Sequence, residues 1–92
     1  MKVYLVCYDI SDDDVRQDVA NLLGEYGERV QRSVFEVIVR TETELAQLQQ
    51  RLAEALGDEP ELRFYRLCER CRSESRTLTG ERVAVFPSTI IV

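Results

Sequence analysis

The chain predicts an α+β fold of βαββαβ order, and three observations carry that reading. Stretches rich in Val, Ile, Tyr and Phe recur at positions 2–9, 28–40 and 62–67. Between them lie two stretches whose apolar residues fall at spacings of three and four. Turn and cap residues separate the pieces, with glycine at positions 27, 57 and 80. Two split βαβ units of this kind form an antiparallel sheet with both helices on one face, the ferredoxin-like arrangement. At 92 residues the chain makes a single domain, with a core over 1–86 and an extra C-terminal tail strand over 87–92.

The first element is Lys2-Val3-Tyr4-Leu5-Val6-Cys7-Tyr8, which runs straight into Asp9. Val3, Leu5 and Cys7 share one face and Tyr4, Val6 and Tyr8 the other, so both faces are largely apolar. That suits a central strand covered on both sides. Helices on one side leave the second face open, and Tyr4, Val6 and Tyr8 are expected there. A two-fold dimer stacking two sheets is the economical cover. Asp9 is costly to bury without a partner or a cation, which makes it the candidate chemical centre.

Ser11 is the expected N-cap of the first helix, with Asp14 in the capping-box position and Asp12 and Asp13 favoured by the helix dipole. Val15, Val19, Leu22, Leu23 and Tyr26 form its apolar face, and Gly27 is its expected terminator. Strands are expected at 28–32 and 34–40, with a tight connection or bulge near Ser33. Thr41 and Glu44 cap a second helix with Leu45, Leu48, Leu52 and Leu56 on its buried stripe, ended by Gly57. An acidic turn over 58–61 leads to a strand over 62–67. Residues 68–76 read as a polar loop, Thr79-Gly80 as a turn, Arg82 to Phe86 as a short strand, and Thr89 to Val92 as a β-branched run suited to a sheet edge.

The charge balance is acidic, with 12 Lys and Arg against 17 Asp and Glu. The average speaks against wholesale binding of nucleic acid, but the arginines cluster at 29–32 and 63–82, leaving room for a basic sheet edge. No apolar run is long enough to suggest a membrane span, and no signal-peptide pattern opens the chain, so the expected location is cytoplasmic. Three cysteines do not make a disulfide framework, and the absence of His removes the histidine-based triads and dyads and the usual zinc sites.

Tyr8-Asp9-Ile10 at the end of the first strand, then Ser11-Asp12-Asp13 and Arg16, form the first part of a longer pattern. Gly27-Glu28-Arg29-Val30-Gln31, Ser33-Val34-Phe35-Glu36 and Arg63-Phe64-Tyr65-Arg66-Leu67-Cys68 follow in order. Over most of residues 2–71 this resembles the small CRISPR-associated endoribonuclease family, the second of the two nearly universal adaptation proteins. The resemblance implies a ferredoxin-like homodimer in which Asp9 of each chain helps hold one divalent metal, usually magnesium. It also implies metal-dependent phosphodiester cleavage in RNA or DNA. In spacer acquisition the family's dimer bridges dimers of the CRISPR integrase subunit and holds duplex DNA, the spacer precursor, without needing its own nuclease site. Two departures stand out: Asp18 where many members carry a second basic residue, and Arg32 where many carry an aromatic.

The candidate residues divide by chemistry. Asp9 is the catalytic and metal-ligating candidate, because magnesium takes one or two carboxylates plus waters and phosphate oxygens. The dull alternative is a cap on the loop into the first helix. Asp12, Asp13 and Asp14 suit the helix N-terminus, with an outer-shell metal role as the alternative. Arg16, Arg29 and Arg32 are nucleic-acid-binding candidates through phosphate, against solvated surface arginines. Tyr8 and Phe35 are candidates for base stacking or an interface, against core packing. Cys68-Glu69-Arg70-Cys71 is a lone pair of thiols; zinc would need two more ligands, and a redox role would need a helix to begin after Cys68, which the sequence does not predict. Two non-nuclease readings stand beside the catalytic one: a dimeric scaffold without turnover, and a ferredoxin-like regulatory module.

Overall fold

The structure is a computed structural model, and it describes residues 1–58 and 61–85. Its elements run β1 (Lys2–Tyr8), α1 (Asp13–Gly24), β2 (Gly27–Gln31), β3 (Val34–Val39), α2 (Glu42–Leu56), β4 (Leu62–Leu67) and a short α3 (Glu69–Ser73). The sheet order is β2-β3-β1-β4, antiparallel throughout, so the βαββαβ reading holds.

Each helix starts where a side chain satisfies its free N–H groups. At α1 the cap is Asp12, one residue later than Ser11, and its Oδ1 accepts from the Val15 N–H at 3.0 Å. At α2 the cap is Thr41, as its sequence predicts: Oγ1 accepts from Glu44 N–H at 3.0 Å while the Glu44 carboxylate accepts from Arg40 N–H at 2.7 Å. Gly57 ends α2 with φ of 60°, a conformation that suits glycine. Gly27 does not end α1; the helix stops at Gly24, and Gly27 opens β2 against the backbone of Glu36 and Val37. The irregularity expected near Ser33 is a two-residue turn there plus a register shift between Arg29 and Gln31.

The helices α1 and α2 cover one face of the sheet, but the face is the opposite of the expected one. Tyr4, Val6 and Tyr8 lie under the helices with Phe35, Val37 and Val39, while Val3, Leu5 and Cys7 turn to the other side. Alternating hydrophobicity could not settle this, since both faces of β1 are apolar and only the parity of the chain decides. The aromatic residues fill the gap between layers: Tyr8 stacks on Phe35 at 6.3 Å, and Tyr4 meets Phe64 edge-on at 5.8 Å. Val6, Val19, Leu23, Leu48 and Val37 in this layer are wholly buried.

Two further expectations are corrected. Residues 68–76 are not all loop, because the Cys68 thiol accepts from the Cys71 N–H and caps α3. Arg82 to Val85 forms no strand; Arg82 makes a single bridge with Arg76, and Ala84 bends at φ of 54°. This bend carries the chain across the second face of the sheet, where Ala84 is buried and its carbonyl accepts from Arg72 Nε at 2.9 Å. Phe86 and the tail over 87–92 lie outside the described residues.

Candidate functional site at the end of the first strand

β1 is the inner strand between β3 and β4, so its end is held from both sides. The Tyr8 N–H donates to the Ser33 carbonyl at 3.1 Å, and the Asp9 N–H donates to the Glu61 carbonyl at 3.0 Å. Backbone hydrogen bonds in both directions fix the direction in which Asp9 leaves the sheet, while its side chain stays exposed. Asp9 borders a shallow depression of about 170 Å³ with Cys7, Tyr8, Glu61 and Arg63.

Neither Glu61 nor Arg63 is a site candidate by sequence, though Arg63 opens one stretch of the family pattern. They reach this place through register: β4 runs antiparallel to β1 with Cys7 opposite Arg63 and Tyr8 opposite Leu62. The signal was therefore strand pairing, which the linear pattern does not state. Arg63 Nη1 donates to the Tyr65 hydroxyl at 3.3 Å, and that bond steadies the guanidinium and raises its pKa.

The arginines singled out by sequence fall in three different settings. Arg16 braces the loop after Asp9: its Nη1 donates to the Ile10 carbonyl at 3.0 Å and it pairs with Asp13. Arg32 is exposed in the β2–β3 turn whose Ser33 carbonyl holds Tyr8. Arg29 lies over the Phe35 ring at 5.3 Å, on the helix side of the sheet. Asp18 is exposed on α1. Asp12 and Asp13 serve the start of α1, one as cap and the other in its first turn. Tyr8 and Phe35 are 6% and 3% exposed, so in this structure both rings are core and neither offers a face to a base.

Asp9 and Glu61 both line this one depression, and their carboxylates are hard-oxygen donors of the kind magnesium takes. Among the described residues no group of three or more His, Cys, Asp or Glu side chains is placed to hold a metal ion. The donors of one chain therefore fit a magnesium ion only as part of a site, with waters, phosphate oxygens or a second chain completing it. No described helix is long and apolar enough to cross a membrane.

The comparisons with known proteins bear on the chain as a whole. The family model for CRISPR associated protein Cas2 matches residues 1–75. The chain is 45% identical to CRISPR-associated endoribonuclease Cas2 1 of Chloroflexus aurantiacus, over 77% of each chain. It is 38% identical to CRISPR-associated endoribonuclease Cas2 2 of Synechocystis over the full length of both. Among solved structures, a chain of a partial Cas6-RT-Cas1–Cas2 complex superposes with a TM-score of 0.87 at 34% identity, covering all of both chains. The crystal structure of Streptococcus pyogenes Cas2 at pH 6.5 gives a TM-score of 0.72 at 33% identity, covering 83% of this chain and 98% of that one. With the family model spanning residues 1–75 and these relatives and structures matching along most of the chain, the chain belongs to the Cas2 family of CRISPR-associated proteins.

Proposed function

We propose that the protein serves CRISPR adaptation as a homodimer that binds nucleic acid and cleaves phosphodiester bonds at Asp9 with a divalent metal, magnesium by preference. The observation that carries the reading is the placement of Asp9: exposed, just past the inner strand, pinned by backbone bonds on both sides, and next to Glu61 and Arg63. Support also comes from the relatives, which carry the name endoribonuclease.

Asp9 and Glu61 would hold the metal, with a second copy of Asp9 from the partner chain across the two-fold axis. When bound, such an ion polarises a phosphoryl oxygen and promotes attack by water. The chain's own part is positioning. The two backbone bonds keep the Asp9 carboxylate at the mouth of the depression, and Arg16 fixes the loop that follows. Arg63 places a positive charge where phosphate oxygens would gain it, and Arg32 extends that charge along the strand-end rim. No histidine is present to act as general base, so the proton of the attacking water has no dedicated side-chain acceptor of that type.

The test is a metal-titrated cleavage assay on RNA, single-stranded DNA and duplex DNA, with Asp9→Ala alongside. Loss of metal-dependent cleavage with dimerisation and DNA binding intact is expected. Undiminished cleavage by nuclease-free Asp9→Ala protein would remove the catalytic assignment.

A second reading is favoured by one observation, the full-length match to a Cas2 chain within a complex that also contains Cas1. On it the dimer is a scaffold that joins integrase dimers and holds spacer DNA without turnover. It expects spacer acquisition to survive Asp9→Ala and to fail when the chain is cut after Pro87.

A further inference from the structure

The Cys68 and Cys71 thiols are hydrogen-bonded to one another, with Sγ atoms 3.1 Å apart, and both residues are exposed. We propose that this pair is a redox-active dithiol that exchanges with an anionic disulfide of the glutathione class, Cys68 attacking and Cys71 resolving.

Geometry gives the two sulfurs different tasks. The Cys68 Sγ accepts from the Cys71 N–H at 3.4 Å, and once ionised it also accepts from the Cys71 thiol. Both bonds favour its thiolate and lower its pKa, the thiol bond most. The same hydrogen bond raises the Cys71 pKa by holding its proton, and a second thiolate beside the first is disfavoured as well. One sulfur is thus prepared to attack while the other keeps its proton until the first has reacted. Cys7, the remaining cysteine, is half-buried in β1.

The surroundings select the substrate's charge. Cys68 borders a cavity of about 660 Å³ with Arg66, Arg82 and Arg72, whose Nε also holds the Ala84 carbonyl; Glu69 is the one acid among the described lining residues. A peptide-like disulfide bearing several carboxylates gains there what a neutral disulfide does not. The α+β scaffold supplies the pair on a short turn: Cys68 follows β4 directly, and Cys71 lies in the first turn of α3.

The exchange balances without another reactant. The Cys68 thiolate attacks one sulfur of the oxidised glutathione, forming a mixed disulfide and releasing one glutathione thiolate, which takes up a proton. Cys71, losing its proton to solvent, then attacks the Cys68 sulfur. The Cys68–Cys71 disulfide forms, and a second glutathione leaves as thiolate and is protonated. The protein dithiol is oxidised by two electrons and the glutathione disulfide is reduced to two thiols.

The experiment uses the full chain carrying Cys7→Ser, treated with glutathione disulfide and read by mass and by titration of free thiols. The expected product is two hydrogens lighter, has no free thiol at either position and carries no glutathione. With Cys71→Ser added, the mixed disulfide on Cys68 should accumulate. With Cys68→Ser instead, which keeps a capping residue, glutathione uptake should slow at least about fivefold. Glutathionylation of both cysteines without closure, or equal uptake by the two single-cysteine proteins, overturns the dithiol. Reaction with glutathione disulfide should outpace reaction with hydroxyethyl disulfide at low salt, and the gap should close as salt rises. Equal rates at every salt concentration overturn the anionic substrate class.

Discussion

The two faces of the sheet are built from similar β-branched and aromatic strands, yet they are finished differently. Under the helices, Val6, Val19, Leu23, Val37, Val39 and Leu48 are fully buried, and among the described residues no charged residue is buried there; Arg29 only lies over the Phe35 ring from outside. On the other face Leu5, Cys7 and Val34 are half-buried, Glu28 and Glu36 stand among them, and an irregular segment over 77–85 passes across. A cavity of about 630 Å³ remains between that segment and the sheet. The first face is packed for stability. The second carries charge and, among the described residues, space that close packing would fill.

The largest expected effect separates the faces directly. Leu48→Ala empties space in a layer that cannot collapse and should cost about 3–4 kcal/mol, measured by urea denaturation. Leu5→Ala, on the half-buried face, should cost about 1–2 kcal/mol. Equal losses would mean that the second face is as well packed as the first. Gly27→Ala comes next. A Cβ there would collide with the Glu36 carbonyl oxygen and lie 2.7 Å from the Val37 Cα, so β2 must shift away from β3. A loss of at least about 2 kcal/mol is expected. A tolerated alanine would show that this pairing is loose.

Those glycines and apolar stripes also show what was legible in the sequence. Helical spacing located α1 and α2, and the Thr41–Glu44 pair located the start of α2 to the residue, because local hydrogen bonds decide it. Gly27 was misread because close approach between strands and helix termination both select glycine, and only the pairing with Val37 tells them apart. The facing of β1 was misread because apolar residues on both sides carry no parity signal. At the site, Asp9 was legible as an acid ending an apolar strand. Glu61 and Arg63 were not, since they lie far along the chain and arrive by antiparallel register with β1. The turn of helix after Cys68 was missed because its cap is a thiol, outside the usual oxygen-bearing cap residues.

Tyr8 gives a smaller effect, on the well-packed face. Its hydroxyl is buried and has no hydrogen-bond partner among the described residues. A buried polar atom left unpaired is costly, so Tyr8→Phe should leave stability unchanged or raise it by about 1 kcal/mol. A clear loss would show that the hydroxyl is engaged, and would weaken the description of this layer as purely apolar packing.

The smallest effect, and the one that reports on the second face alone, comes from Glu36. Burial raises its carboxyl pKa above the ordinary value, the carboxylate of Glu28 adds to the rise, and the Ala84 N–H and Arg72 oppose it. Arg82 and Cys7 line the same cavity. A carboxyl whose folded pKa exceeds its unfolded pKa binds its proton more tightly when folded. Its stabilising contribution is complete below the unfolded pKa and is lost as pH rises through the folded value. Glu36→Gln keeps an oxygen for the Ala84 N–H but removes the buried charge. The variant should therefore be the more stable protein at neutral pH, with the gap to the parent shrinking as the solution is acidified through the carboxylate range. Urea midpoints measured across that range decide it. If Glu36→Gln were less stable at neutral pH, the charge itself would be anchoring the segment over 77–85, and the second face would be held together by the group that otherwise marks it as unfinished.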